Sequence, residues 1–166
     1  MDDHASMRPG GLRTLTSGEA ALAWELFGGG LDPEPVRIFA IPLWRRAFVP
    51  FGRLIVWPAA QAHADFARAP LPLQGVFVHE LTHVWQAQSG VNLLTAKLRA
   101  GDGPGAYAYD LSKTCDFSSL NIEQQAMVFQ HAFLAARGGF APHEGEAYAR
   151  ILATWREGSA TRPRTL

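Results

Sequence analysis

Residues 76–86 read VFVHELTHVWQ and place two histidines and a glutamate inside a strongly apolar stretch. The residues around them are large and apolar: Val76, Phe77, Val78, Leu81, Val84 and Trp85. A helix with apolar residues on most of its faces is buried on most sides. Burying an ionised carboxylate and two imidazoles without partners opposes folding by several kcal/mol. The segment therefore needs a partner inside the protein that satisfies these polar groups.

His79, Glu80 and His83 form the pattern H-E-x-x-H. Residues four positions apart lie on the same face of a helix, so both histidines can direct a ring nitrogen at one metal ion. Glu80 lies about 100° around the helix from His79, which places its carboxylate beside the ion without making it a ligand. From there it can act as the general base of a zinc hydrolase. The pattern predicts a zinc site, in preference to a helix whose polar groups bond only to neighbouring backbone.

Two histidines do not complete a catalytic zinc site, which takes three protein ligands and leaves one position for water. Gln86 and Ser89 stand where the pattern HExxHxxGxxH has its glycine and third histidine, so that class is excluded. A carboxylate from a separate helix is the alternative, and Glu123 in NIEQQA is the predicted third ligand. Its other interpretation is a charge favoured by the dipole at a helix start. The competing candidates are Asp110, Asp116, His131 and Glu144, of which His131 lies about 12 Å along the helix from Glu123.

The remaining pattern predicts helices around a small sheet, an α+β fold. Thr16 and Glu19 form a capping box that starts the first helix, and the glycines at 28–30 end it. Runs at 36–41 and 53–57 are rich in β-branched and aromatic residues and predict strands joined by a long hairpin connection. Asn121 is a predicted N-cap. The further predictions are helices at 73–88, 92–99, 123–137 and 143–157, a turn at 101–105 and a strand at 106–111.

The length of 166 residues suits one domain, predicted at 13–157 between disordered tails at 1–12 and 158–166. Fifteen basic residues balance fifteen acidic ones, which argues against a nucleic-acid or membrane-surface partner. Cys115 is the single cysteine, so no internal disulfide forms, and we expect it to be inert. The sequence shows neither a secretory signal pattern nor an apolar run long enough to span a bilayer. We expect a cytoplasmic location, with export independent of a signal as an open alternative.

HELTHVWQ, followed by AYAYDL and then NIEQQA, resembles the small bacterial vgr-related metallopeptidases. It is also similar to HELTH-type domains found near contractile-injection and polymorphic-toxin genes. The resemblance runs from LTSGEAALAWELFG at 15–28 to QHAF at 130–133, and HELTHVWQ and EQQA are its most specific parts. It implies a zincin-like fold with a small antiparallel sheet packed on the HExxH helix, further C-terminal helices, and Glu123 as the third zinc ligand. It also implies a peptide or protein substrate aligned along RLIVW at 53–57 as an edge strand, and association with secretion- or toxin-system proteins.

One position departs from better-studied peptidases of this type. There an acidic residue one turn after the third ligand orients a zinc histidine, whereas this chain has Met127. The orienting partner is therefore expected elsewhere, with Asp110 and Asn121 as candidates, or it is missing from this chain. A peptidase also needs a donor for the oxyanion that forms during hydrolysis. Tyr107 and Tyr109 are the candidates, and if 106–111 is a strand only one of them can face the site.

Three functions compete on these residues. The first is a zinc-dependent metallopeptidase with His79, His83 and Glu123 as ligands and Glu80 as general base. The second is a zinc-stabilised, non-catalytic binding or accessory module of a secretion or toxin system, which Met127 and the small size favour. The third is a metal-free structural domain. The intact Glu80 favours the peptidase, because a purely structural metal site does not need a general base.

Overall fold

A computed structural model describes residues 6–101, 103–114 and 116–160 of the protein. These ranges contain a four-stranded sheet and six α-helices. The strands are β1 (Leu12–Thr14), β2 (Arg37–Ile41), β3 (Phe48–Phe51) and β4 (Leu54–Pro58). The helices are α1 (Ser17–Phe27), α2 (Leu71–Gln88), α3 (Leu93–Ala100), α4 (Pro104–Tyr107), α5 (Ile122–Ala135) and α6 (Gly145–Ala160). This content confirms the predicted α+β class.

The sheet is mixed, with the strand order β1-β2-β4-β3. The predicted strands at 36–41 and 53–57 are present as β2 and β4, but these two pair in parallel. They therefore cannot be the arms of a hairpin, and the prediction of an antiparallel sheet is wrong. The connection between them contains β3, which forms the hairpin with β4. Pro50 is the reason that β3 was not predicted. A proline removes a backbone N–H donor from the sheet and is tolerated mainly in edge strands.

The edge strand of the sheet beside α2 is β3 and not β4. The run RLIVW lies inside the sheet, because β4 has β2 on one side and β3 on the other. Residues 55–58 are accordingly buried. The expectation that 53–57 would be an edge strand is therefore wrong. At this end of the sheet, β3 is the strand whose outer side is open to an extended ligand.

The predicted capping box at the start of α1 is confirmed and belongs to a larger buried network. The Glu19 backbone N–H donates to the Thr16 hydroxyl, and the Thr16 N–H donates to the Glu19 carboxylate at 2.8 Å. The Arg13 guanidinium donates to both oxygens of Glu19 at 2.7 Å, and the Phe66 N–H donates at 2.7 Å. Glu19 is 0% exposed, so these bonds replace its lost hydration. They join β1 to α1 and to the segment that leads into α2.

Helix α2 lies at the centre of the molecule and packs along α5. Its side chains Phe77, Val78, Leu81 and Val84 are all 0% exposed. Gly75 allows a close approach of the two helices, because a Cβ at this position would lie 3.0 Å from a methyl of Leu134 on α5. The predicted helix at 73–88 is therefore confirmed, with a start two residues earlier.

The segment between α3 and α5 differs from its prediction. Residues 104–107 form the short helix α4, and residues 108–110 have no regular secondary structure. The predicted strand at 106–111 is wrong. Gly103 caps α4 and Pro104 occupies its first turn, where the fixed proline φ suits a helix. The alternation of tyrosines in AYAYDL thus does not reflect strand geometry.

Helix ends and tails show smaller differences from the prediction. Asn121 is the N-cap of α5, as predicted, and it forms a capping box that was not predicted; α5 ends at Ala135. Within the predicted N-terminal tail, Met7 is buried and its N–H donates to the Ala62 carbonyl at 2.8 Å. Leu12 begins β1, and at the other end α6 continues to Ala160, past the predicted boundary at 157. Residues 1–5, Asp102, Cys115 and 161–166 lie outside the described residues.

No helix in the described part of the chain is long and apolar enough to cross a membrane.

The Glu19 network predicts a large effect on stability. Glu19→Ala leaves Arg13 and the Phe66 N–H without their acceptor, so the free energy of unfolding should fall by about 3 to 5 kcal/mol. Glu25→Ala is the matched control, because Glu25 forms an exposed ion pair with Arg137 at 2.9 Å. Removing an exposed pair should change stability by less than about 1 kcal/mol. Urea unfolding followed by circular dichroism measures both variants, and equal losses would contradict the assignment.

Candidate metal centre

Two helices bring three buried side chains to one point. His79 and His83 lie one turn apart on α2, and Glu123 lies in the first turn of α5. The His79 and His83 Nε2 atoms are 3.2 Å apart, and Glu123 Oε2 lies 3.3 Å from His79 Nε2 and 3.4 Å from His83 Nε2. Their exposed fractions are 8%, 7% and 3%. The three atoms form an almost equilateral triangle inside the protein.

The triangle has the dimensions of one face of a zinc coordination sphere. Zinc binds imidazole nitrogen and carboxylate oxygen at about 2.0 to 2.1 Å, and tetrahedral geometry then separates the ligand atoms by about 3.3 Å. The three measured separations agree with that value. The donor set of two imidazoles and one carboxylate also suits zinc. These residues could therefore hold a metal ion.

The other candidate ligands lie elsewhere. Asp110 is partly exposed and accepts from the Ser112 hydroxyl at 2.6 Å, which lowers its pKa. Asp116 accepts from the Ser118 N–H at 2.9 Å and caps a 3-10 turn. Glu144 is exposed. Across residues 6–101, 103–114 and 116–160, His79, His83 and Glu123 are the one group of three or more such side chains that could hold an ion.

The protonation states of the triangle follow from burial and mutual contact. Burial lowers the pKa of His79 to about 4, so its ring stays neutral and able to bind a metal. Burial also acts to lower the pKa of His83, but the hydrogen bond to Glu123 and the charges of Glu80 and Glu123 raise it overall. Burial alone would raise the pKa of Glu123, yet its bonds to both histidines lower it. The raised pKa of His83 means that a proton competes with a metal for this ring more strongly than for that of His79.

Glu80 lies beside the triangle without belonging to it. Its Oε2 atom is buried and has no hydrogen-bond partner among the described residues. Burial raises the pKa of Glu80 to about 7, and the charge of His83 acts in the opposite direction. A carboxyl group with this proton affinity can both accept and donate a proton near neutral pH. The side chain also lines the cavity that opens next to the histidines.

Gln86 orients His83, a role that the sequence analysis expected of Asp110 or Asn121. The His83 Nδ1–H donates to Gln86 Oε1 at 2.8 Å, which directs the lone pair of Nε2 toward the triangle. The Gln86 amide in turn donates to the Ile122 carbonyl at 3.0 Å. Asn121 instead caps α5 and donates to the Ala106 carbonyl, so the predicted orienting partners are wrong. The spacing of three residues between His83 and Gln86 was the available signal.

Lys97 is a second functional residue that the sequence did not indicate. Its ammonium group extends from α3 and donates to Glu123 Oε1 at 2.7 Å and to the Tyr107 hydroxyl at 2.8 Å. These contacts raise the pKa of Lys97 although burial opposes them, so it stays charged. Because the ammonium binds Oε1 of Glu123, the other carboxylate oxygen, Oε2, faces the histidines. No pattern around Lys97 could reveal this contact, because it depends on how α3 packs against α5.

The two predicted tyrosines lie in different places. Tyr107 lines the cavity, and its ring stacks near that of His79 with centroids 6.4 Å apart. Tyr109 is a poor candidate for the site, because its hydroxyl contacts His131 Nδ1 at 2.6 Å and the Tyr148 hydroxyl at 2.8 Å. His79 Nδ1 lacks a well-formed hydrogen bond to any described residue, although a nearby Gln130 acts to raise its pKa.

The centre lies in a cavity of about 580 Å³. Helix α2 lines it with both histidines, and β3, the loop before β3 and α3 also contribute lining residues. Met127, one helical turn after Glu123, also lines this space. The volume is large enough for a segment of polypeptide chain or a small molecule.

Comparisons with known proteins identify one set of relatives. No family model matches the chain. The chain is 34% identical over 134 residues to the type VI secretion system spike protein VgrG2b of Pseudomonas aeruginosa. That match covers 74% of this chain but 13% of the spike protein's length. The solved effector domain of Pseudomonas aeruginosa VgrG2b is similar in structure, with a TM-score of 0.66 and 30% identity over 92% of this chain and 86% of that domain.

The triangle predicts that the purified protein binds one zinc ion per chain after supplementation. His79→Ala or His83→Ala should abolish binding, because two ligands do not hold a catalytic zinc. Glu123→Ala should weaken binding much more than the surface control Glu144→Ala. Elemental analysis and chelator competition measure these effects, and equal affinity in the two glutamate variants would remove Glu123 from the centre.

The zinc affinity of the wild-type protein should fall as the pH falls, beginning above the ordinary histidine value of 6.5. The reason is that the raised pKa of His83 favours the protonated ring, which cannot bind the metal.

The role of Gln86 predicts a separate effect on affinity. Gln86→Ala removes the acceptor that orients His83, so zinc affinity should fall about 10- to 100-fold. Gln88→Ala is the matched control two residues along the same helix, where the side chain bonds instead to the backbone of Asp32. Chelator competition on both variants tests the difference. A Gln86→Ala protein that binds zinc as tightly as the control would mean that Gln86 has only a packing role.

Proposed function

The chain belongs to the family of the VgrG2b effector domain, and we propose that it is a zinc-dependent metallopeptidase with a zincin-like fold. The buried triangle of His79, His83 and Glu123, with the unpaired Glu80 carboxyl beside it, supports this proposal most strongly. A structural zinc site is closed by four protein ligands, whereas a catalytic site keeps a position open. Here three ligand atoms face a cavity that a peptide can enter.

The chain's own residues supply the proton transfers. A bound zinc ion would supply Lewis acidity, which activates a water molecule and polarises the carbonyl of the bond to be cleaved. Glu80 removes a proton from the attacking water and later delivers it to the leaving amine. Burial raises the proton affinity of this carboxylate in the metal-free protein, which favours a group that takes up a proton and then returns it. Gln86 and Lys97 hold His83 and Glu123 in place through these steps.

Tyr107 is the proposed donor to the oxyanion. Its hydroxyl accepts a hydrogen bond from the Lys97 ammonium at 2.8 Å, so the hydroxyl proton remains available to the cavity. The nearby positive charge also makes the hydroxyl a better donor. A donor fixed in this way stabilises negative charge that develops on a carbonyl oxygen during hydrolysis. Tyr109, with its hydroxyl bonded to His131 and Tyr148, has no comparable freedom.

The relatives also suggest a partner and a place of action. We propose that the chain acts as an effector domain associated with a type VI secretion spike, and that its substrate is a peptide or protein. The matched spike protein is much longer than this chain, which spans 13% of it. The sequence led us to expect a cytoplasmic location. Delivery with a spike would instead take the domain out of the cytoplasm.

A zinc-stabilised module without turnover is the second candidate. The weak support of His79 Nδ1 favours it, because a catalytic zinc histidine commonly donates to a well-placed acceptor. The unpaired Glu80 argues against it, since a buried carboxyl with no partner lowers stability and has no purpose in a purely structural site. The peptidase is therefore the better account of the centre.

Glu80→Gln separates the two candidates. The substitution keeps size and hydrogen bonding but removes the basic carboxylate, so zinc content should remain while cleavage falls by about 10²- to 10⁴-fold. Zinc analysis and hydrolysis of unfolded casein measure the two properties in parallel, with Glu144→Gln as the surface control. Retained cleavage in Glu80→Gln would show that another group is the base. Absence of cleavage by the wild type across a broad peptide library would favour the accessory module.

A further inference from the structure

We propose that the cavity beside the metal centre selects extended peptides that carry an acidic side chain close to large apolar ones. This inference rests on the proposed function for the kind of ligand, a polypeptide segment. It goes further in assigning the ligand's side-chain chemistry. Two features of the rim carry it: exposed apolar side chains from the β3 region and from α3, and two arginines that no acidic group in the described chain neutralises.

The apolar part of the rim comes from two neighbouring regions of the chain. Trp44 and Phe48, from the loop before β3 and from β3 itself, line the cavity with ring centroids 5.7 Å apart. Leu94 of α3 lines it too. These three side chains are 50%, 36% and 71% exposed. Large apolar residues that are exposed around a concave site mark a surface that binds a ligand.

The charged part of the rim is positive. Arg45 and Arg46 line the same cavity and are exposed, and neither forms an ion pair with a residue in the described ranges. The third cation of the cavity, Lys97, already bonds to Glu123. The chain as a whole has a formal net charge of +0, so the positive rim is a local feature. Guanidinium groups bind carboxylates through paired hydrogen bonds, which makes an acidic side chain the matching ligand.

The loop that carries these residues has an unusual backbone. Leu43, directly before Trp44, has a φ of 58°, in the left-handed region that non-glycine residues seldom occupy. Its side chain is 104% exposed, so packing in the core does not account for this conformation. Such strained positions cluster at segments that clamp ligands. The loop thus presents Trp44, Arg45 and Arg46 in succession at the cavity.

The edge strand β3 is better suited to recognising the side chains of a peptide than to pairing with its backbone. Phe48, Val49 and Pro50 of β3 line the cavity, but Pro50 has no N–H to donate to an added strand. A peptide beside β3 therefore gains fewer ladder bonds than on a regular edge. Its affinity must depend more strongly on the apolar and arginine side chains of the rim.

Peptide binding tests the inference without requiring cleavage. The zinc-supplemented Glu80→Gln protein is titrated with three fluorescein-labelled peptides in a Gly/Ser background. The first contains Glu beside Leu and Phe, the second has Lys in place of each Glu, and the third has Ser in place of each Leu and Phe. Fluorescence anisotropy should show that the acidic apolar peptide binds about tenfold or more tightly than either of the others. Equal affinity for the Glu and Lys peptides, or binding of none, would overturn the inference.

Matched variants assign the preference to the rim. Arg45→Glu/Arg46→Glu should reverse the charge preference, whereas Arg150→Glu/Arg156→Glu on α6, with the same change in charge, should leave it unchanged. Trp44→Ala should weaken binding of the acidic peptide. Unchanged zinc content in every variant would show that the centre is intact. A preference that survives in Arg45→Glu/Arg46→Glu would overturn the inference. So would binding to phosphatidylglycerol vesicles in place of peptides, which would assign the rim to a membrane.

The wild-type protein separates this inference from the peptidase proposal. Charge-selective binding without hydrolysis of any peptide would support the inference and contradict the proposed activity. Hydrolysis with equal rates on the Glu and Lys peptides would support the activity and overturn the inference.

Discussion

The packing of α2 against α5 is the interaction on which the rest of the structure depends. Near one end of α2, Gly75 allows α5 to approach so closely that a Cβ would lie 3.0 Å from Leu134. Near the other end, the Gln86 amide donates to the Ile122 carbonyl and to Gln125 Oε1, both at 3.0 Å. Between these two contacts, Glu123 meets the histidines. The candidate metal centre is thus part of the helix pair, and the same contacts that position α5 also position Glu123.

Two separate polar networks support the fold and the site. Glu19 joins β1, α1 and the segment before α2 through bonds to Arg13 and Phe66, and these residues do not line the cavity. The site network instead joins α2, α3 and α5 through Gln86 and Lys97. Because the two networks share no residue, changes in one can be made with little direct effect on the other.

The parts of the centre that could be predicted from sequence are those set by local geometry. His79 and His83 face one point because helix periodicity brings residues four apart together, and the capping boxes at Thr16 and Asn121 are equally local. Glu123 required the additional argument that a catalytic zinc needs a third ligand, together with a family resemblance. Lys97 could not be found, because its role depends on tertiary packing.

The two main errors in the predicted secondary structure have different causes, one local and one tertiary. Tyrosine and alanine alternate at 106–109 as they would in a strand, yet Pro104 at the start of the segment favours a helical turn, and that local preference prevailed. The parallel pairing of β2 with β4 could not be predicted from either strand alone. It depends on the intervening chain returning along the outside of the sheet as β3.

Pro50 has a consequence for how this protein behaves in concentrated solution. An open sheet edge that borders a ligand cavity also attracts the edges of neighbouring copies, and Phe48 and Phe51 add exposed aromatic surface to β3. A proline within that strand interrupts the row of donors that continuous strand-to-strand growth requires. The register shift between Phe48 and Phe51 disturbs the same edge further. The protein can therefore keep its cavity accessible while resisting self-association into β-aggregates.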